Sequence, residues 1–399
     1  MKHLVVSTFD PQKLPYGRYA IIFQEMFRHF NAAGISVEIL PPPDTHDLKG
    51  TLVRYKEKLA EAEMIFHISG YAWYQLSLAF EEERRTSVLE MLRARGYLWL
   101  EDFDIYNEKT KEKIKNFVYA VNQYIKDRGN SGVLLNADVY LKEEKEAYDL
   151  LDENTIPRVP TLQIEAWEKN KIFPVVFKQK NTTKGEGVYF IENEAQFSTL
   201  SPIKDTLSLH HFIECPGDHY THYRIFTIGS GNILAAVLSY SQMKKGENRR
   251  IIDREGNNPS GRVYDNSTSA FFINRKQITS NRSAGGKQIP LEPNEKSKRI
   301  SDHELSILND HGITNQYIPE ILKKQAQKTA EIFAKKGLFI LGQDWIQSKD
   351  GVFYCLELNW GPERGCFDTA YNLGKGEDDV ALIIAAEKIA EGILGAIKK

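Results

Sequence analysis

Between Leu4 and Leu135, short apolar runs alternate with segments of helical period, and this alternation constrains the fold more than any other feature of the chain. Leu4–Phe9 reads as a strand. Tyr19–Phe30 follows, with Ile22, Met26 and Phe30 at helical spacing, and Gly34 stops it. Val37–Leu40, Met64–Ser69, Tyr97–Leu100 and Val133–Leu135 are further expected strands, with helices expected over Glu81–Arg95 and Lys111–Ile125. Strands separated by helices pair in parallel, with the helices on the faces of the sheet. Ligands of such sheets sit at the carboxyl ends of the strands, here Phe9-Asp10 and His67–Trp73.

The pattern changes near Asn136. A charged helix is expected over Lys142–Leu151, a break at Ile156–Thr161, and a hairpin from Phe173–Gln179 and Val188–Glu192 around a Gly-containing loop. A third unit is expected from Leu207, with strands at Leu209–Ile213, Tyr223–Ile228 and Ile233–Tyr240. A polar excursion, Lys244–Ser267, interrupts it. Helix Pro319–Lys336, strands Phe339–Ile346 and Val352–Asn359, and helix Asp379–Ile397 complete the chain. The expected division is therefore 1–135, 136–206 and 207–399, with the excursion at about 244–267.

Composition narrows the function classes. Of 399 residues, 27% are charged and the net charge is −2, so nothing resembles a polycation that would neutralise nucleic-acid phosphates. Cys215, Cys355 and Cys366 are too scattered for a disulfide framework or a Cys-type zinc site. The N-terminus lacks a signal-peptide pattern and no run is long and apolar enough for a bilayer span, so a soluble cytoplasmic protein is expected.

Four stretches carry candidate chemistry. Glu357 and Asn359 are two apart on a strand and share a face, and Asp344 lies on the partner strand of the hairpin turned by Lys349-Asp350-Gly351. Three oxygen-bearing side chains make a hard-cation site suited to Mg²⁺, although the hairpin taken alone favours a solvated polar face. Lys178 follows the apolar run Val175-Val176-Phe177, and Gly185 and Gly187 lie in the loop beyond it. A point charge and close-approaching backbone suit a polyanion, and a plain hairpin with a polar tip also fits. Glu214 ends a strand, where a carboxylate can accept from ribose hydroxyls, and Arg224 sits in the apolar strand Tyr223–Phe226. The histidines His210, His211, His219 and His222 match no zinc-ligand spacing. Arg282, before Gly285-Gly286, reads as an anion contact or as part of a tight turn.

Taken in order, these pieces resemble the ATP-grasp superfamily, of the carboxylate–amine or thiol ligase kind with a glutathione synthetase-type ATP-binding domain. The succession carries the resemblance: Lys178 and its Gly loop, a strand ending in Glu214, the Arg224-Ile225-Phe226 strand, Arg282 with Gly-Gly, a helix, then "G-Q-D-W-I" and "L-E-L-N-W-G-P". It covers about residues 136–399. It implies an α/β (α+β) chain, an N-terminal parallel α/β domain followed by a two-lobed ATP-grasp domain. It implies ATP and Mg²⁺, with Mn²⁺ as the alternative ion. Lys178 would hold the α/β-phosphates with Lys145 assisting, a role for which Lys142 competes. His211 to Ile213 would line the adenine edge, and Glu214 would bind ribose. Asp344, Glu357 and Asn359 would hold the metal. Arg224, Arg282 and Arg364 would hold the acyl phosphate or the carboxylate.

The reaction implied is ATP-dependent ligation of a small-molecule carboxylate to an amine through an acyl phosphate. Two alternatives stand beside it: a kinase of hydroxyl acceptors drawing on Lys244, Lys245, Arg249, Arg250 and Arg254, and a synapsin-like module that binds nucleotide without a reaction. No nucleic-acid or membrane partner is expected, and a homo-oligomer is left open.

Overall fold

The computed structural model describes residues 4–8, 17–41, 43–44, 46–67, 108–131, 133–137, 144–179, 188–200, 207–229, 231–245, 286–292, 300–359, 367, 369–371 and 378–397. Strands β1 (Leu4–Ser7), β2 (Ser36–Ile39), β3 (Met64–His67) and β4 (Leu134–Ala137) form a parallel sheet in the order β2-β1-β3-β4. β3 is buried along its whole length, as a strand covered on both faces must be. On one face lies α1 (Gly17–Ala32), whose Phe23, Phe27 and Phe30 rings surround Phe66 of β3 at 5.9, 5.7 and 6.1 Å between centroids. On the other lie α2 (Leu48–Glu61) and α3 (Glu108–Asn130), which meet through Tyr55 and Phe117. The expected strand Tyr97–Leu100 and helix Glu81–Arg95 lie outside the described residues.

After α4 (Glu144–Glu153), a second sheet contains β5 (Thr161–Leu162), β6 (Val175–Gln179), β7 (Val188–Ile191) and β8 (Leu207–His211), all antiparallel, in the order β5-β8-β6-β7. Helices α5 (Ile164–Lys169) and α6 (Glu194–Leu200) cover one face, where Trp167 and Phe197 close over Phe177. One expectation changes here. β8, read as the opening of the third unit, is hydrogen-bonded between β5 and β6. Periodicity locates a strand but not its partner, so the sheets change over in the linker 212–218 rather than at Leu207.

The third sheet is antiparallel throughout: β9 (His219–Ile228), β10 (Asn232–Lys244), β11 (Lys287–Leu291), β12 (Ile340–Gln347) and β13 (Phe353–Asn359), in the order β11-β10-β9-β12-β13. Alternation gives its two faces different fates. Tyr223, Ile225, Leu238, Leu341 and Trp345 face a core closed by α7 (Asp302–Asp310) and α8 (Glu320–Ala334), from which Ile307, Leu308, Leu322, Ala326 and Phe333 are buried. On the opposite face, Phe226, Ile228, Val237 and Ile340 lie in a second apolar cluster with α9 (Asp378–Ile397), α1 and Phe367. That cover ends partway along the strands. Beyond it the same face carries His222, Arg224, Asp344, Glu357 and Asn359.

Among the described residues no helix is long and apolar enough to cross a membrane.

Candidate active site

A β-bulge sets the geometry of the carboxylates. Asp344 pairs with Glu357, but the next residue, Trp345, pairs with Cys355, so two steps on β13 match one on β12. Strict alternation would put Cys355 and Glu357 on one face. The bulge at Leu356 turns Cys355 into the core beside Trp345 and leaves Glu357 exposed on the site face. Asn359, paired with Gly342, stays on that face with Glu357.

Asp344 also pairs with Arg224 across β9 and β12. The Arg224 guanidinium donates from Nε to Oδ1 at 2.7 Å and from Nη2 to Oδ2 at 2.6 Å, and both side chains are largely buried. Burial alone would raise the Asp344 carboxyl. The Arg224 charge and hydrogen bonds, with smaller help from His222 and Lys178, outweigh it and hold the group below the ordinary carboxylate range. Asp344 is thus an anion at neutral pH. Each oxygen accepts once from Arg224 and keeps lone-pair capacity for another partner.

His222 lies two residues before Arg224 on the same face of β9. Burial pushes its imidazole down to about 4, aided by Arg224 and opposed by Asp344. The sign of the consequence is fixed. Between the ordinary histidine value and about 4, the unfolded chain binds a proton at this residue and the folded chain does not. Stability is therefore lost as pH falls from about 6.5 towards 4, on the order of 3 kcal/mol from this residue. Thermal unfolding followed across that window should be visibly shallower in pH dependence for His222→Gln than for the wild type.

The second sheet supplies a cation. β6 buries Val175 and Phe177 in its own core, so Lys178 projects from the other face, in register with Ser208. His210 and Phe190 share that face, both paired with Val176. Phe212 of the linker contacts Phe190 at 4.7 Å and Tyr220 of β9 at 6.3 Å, joining this face to the third sheet. The Lys178 charge is the smallest of those that lower the Asp344 carboxyl.

The linker between these sheets is pinned. Lys245 donates from Nζ to the Cys215 carbonyl and to the Gly217 carbonyl at 2.7 Å, and the Cys215 thiol reaches the His219 carbonyl at 3.3 Å. Gly217 has φ of +66°, and a Cβ there would lie 2.3 Å from an Asp310 carboxylate oxygen. Its left-handed backbone and its close approach to α7 both require glycine. His211 donates its backbone N–H to the Pro160 carbonyl, so that N–H is used within the fold. Ile213 and Glu214 follow on the partly exposed segment before Cys215.

Other candidates are placed less fully. Lys145 lies on α4. Gly185, Gly187, Arg282 and Arg364 lie outside the described residues, as does most of the excursion. The four histidines are dispersed: His210 contacts Ser208 in the second sheet, His219 contacts the Ser241 carbonyl, and His222 faces the opposite side of β9 from His219. Among the described residues no group of three His, Cys, Asp or Glu side chains could hold a metal. Two carboxylates and an amide on one face suit a hard cation that draws its remaining oxygens from phosphates and water, so the donor set fits Mg²⁺. His222 was visible in the sequence only as one of four histidines. Its spacing of two from Arg224 already placed both on one face of the strand.

No protein-family model matches the chain, and no curated protein sequence matches it. Solved structures similar to it include the macrocyclase MdnC bound with precursor peptide MdnA from Microcystis aeruginosa MRC. The identity is 12% and the TM-score 0.47, over 98% of this chain and 100% of that one. A second is a RiPP-associated ATP-grasp ligase of Chryseobacterium gregarium in complex with ADP and a leader and core peptide, at 10% identity and TM-score 0.47, over 98% and 97%. A third is D-alanine–D-alanine ligase from Bacillus anthracis, at 12% identity and TM-score 0.43, over 100% and 99%. These likenesses are remote, and the functional reading rests on this chain's own residues.

Proposed function

We propose that this protein is an ATP-grasp enzyme that ligates a carboxylate to an amine, with ATP bound between the second and third sheets. The observation that supports the reading is that Arg224, Asp344 and Glu357 share one face of the third sheet, while the charge of Lys178 from the second sheet acts on Asp344. Cations and carboxylates opposed in this way suit a triphosphate and its metal, and among the described residues no activated Ser, Cys or His nucleophile is part of the arrangement.

In this reading Asp344, Glu357 and Asn359 would hold Mg²⁺, which when bound would supply charge neutralisation at the transferring phosphoryl group. Lys178 binds the phosphates as a point charge from the second sheet. Glu214 accepts from the ribose, and the backbone from His211 to Ile213 borders the base. Arg224 holds Asp344 ionised and in place, and in this reading its guanidinium would also meet the carboxylate or acyl phosphate. Lys145, Gly185, Gly187 and Arg282 are assigned to the same site by the sequence resemblance. The acceptor's carboxylate oxygen bonds to the γ-phosphorus as ADP leaves; the amine then displaces phosphate to form the amide.

The kinase alternative draws on Lys244, Lys245, Arg249, Arg250 and Arg254 for a basic acceptor pocket, and the three arginines lie outside the described residues. Lys244 is paired with Asp218 at 3.0 Å and Lys245 with linker carbonyls, so both point to the linker.

A turnover screen of amino acids and small carboxylates tests the reading. ADP and free phosphate should appear together only when an acid and an amine are both present, with an amide as product. ADP with a stable phosphorylated acceptor would replace the ligase by the kinase.

A further inference from the structure

The tip of the β12–β13 hairpin reaches the linker between the sheets. Ser348 closes the turn from both sides: its N–H donates to the Val352 carbonyl at 2.8 Å, its carbonyl accepts from Gly351 at 2.9 Å, and its hydroxyl accepts from Val352 at 3.1 Å. Gln347, just before it, accepts at Oε1 from the Tyr223 hydroxyl at 2.9 Å and lies 2.9 Å from His311 Nδ1. The turn is thus fastened to the buried side of the sheet. From it Lys349 makes two contacts with one residue. Its backbone N–H donates to the Glu214 carbonyl at 2.9 Å, and its ammonium lies 2.6 Å from the Glu214 carboxylate.

A surface ion pair alone would mean little, since these side chains remain 57% and 52% exposed and solvent screens them. The added backbone bond and the rigid turn change the case. They fix where the Glu214 carboxylate sits relative to the hairpin that carries Asp344 and Glu357. We infer that Lys349 is a positioning residue for nucleotide: it holds the Glu214 carboxylate in the orientation that receives the ribose hydroxyls, and so ties the ribose end of the site to the metal end through one hairpin. The inference rests on the nucleotide reading above. Lys349 itself leaves the phosphates to other residues.

The test compares affinities for ATP and 2′,3′-dideoxy-ATP, with Mg²⁺, in the wild type, Lys349→Met, Lys349→Arg and Glu214→Ala. The wild type should prefer ATP, and Glu214→Ala should lose that preference. Lys349→Met should reduce it roughly fivefold, the upper range for an exposed pair, with kcat within about twofold. Lys349→Arg should restore it, and Lys349→Met should add nothing in the Glu214→Ala background. A Lys349→Met protein with the wild-type preference overturns the inference, and so does one that weakens for both nucleotides equally, which marks a merely structural contact. A wild type that binds both nucleotides equally removes Glu214 from the ribose and the inference with it. A wild type that binds neither overturns the nucleotide reading itself.

Discussion

Glu357→Ala should abolish Mg²⁺-dependent ATP turnover while leaving thermal unfolding close to that of the wild type. Glu357 is exposed, so its removal opens no cavity in the core. It stands directly opposite Asp344 on the neighbouring strand, and like charges in that position oppose sheet pairing. Its loss therefore has no large stability cost to impose. The Arg224 guanidinium already answers the Asp344 charge, and in the proposed site Glu357 would serve as the second carboxylate for the cation. The bulge at Leu356 supports the same reading, because it separates the core-facing Cys355 from the site-facing Glu357. Turnover measured against Mg²⁺ concentration decides it. A Glu357→Ala enzyme with wild-type rate and unchanged metal dependence would remove this residue from the metal site.

The second large effect concerns Lys178. Lys178→Met should raise the ATP KM and lower kcat by well over tenfold, at least ~1.4 kcal/mol in the barrier. Its side chain leaves the face packed by Phe177 and Trp167, and its charge contributes to lowering the Asp344 carboxyl. Methionine keeps the length and apolar stem, so the change removes a charge from the cleft and little from the packing. Lys184, in the polar tip beyond β6 and outside the described residues, is the control. Lys184→Met should have a much smaller effect in the same steady-state assay. An essential Lys184 with a dispensable Lys178 would put the nucleotide on the wrong side of this hairpin.

Periodicity revealed most elements of the fold and few of their partners. Within the described residues, strands β1 to β4 and the hairpins at Val175–Ile191 and Ile340–Asn359 were legible because burial on one face writes itself into the residue pattern. β11 was not, because Pro290 falls inside Lys287–Leu291 and argues against a strand. The structure tolerates it because β11 is the terminal strand of the described sheet, where a missing N–H costs least. α7 carried a legible start signal in Ser301 and Glu304, which form a complete capping box, but its few apolar residues gave no clear period. The placement of β8 in the second sheet depends on pairing between distant segments, which no local pattern encodes.

The site divides in the same way. Asp344, Glu357 and Asn359 were legible as one face of a hairpin, although the bulge that keeps Cys355 off that face was not. Arg224 was legible as a charge in an apolar strand. Its bidentate bond to Asp344 follows from the β9–β12 register, which the sequence does not display. Lys349 read only as a turn residue. Its contact with Glu214 requires the hairpin tip to meet the linker, a matter of how the two sheets sit.

Oxygen transfer from acid to phosphate is the signature of an acyl phosphate. Once the screen has found an acid and amine pair that supports turnover, the acid is supplied with ¹⁸O in its carboxylate. Attack of that carboxylate on the γ-phosphoryl group predicts one ¹⁸O atom in each phosphate released, read by mass or by phosphorus resonance shift. Phosphate released without label would contradict an acyl phosphate formed in this cleft.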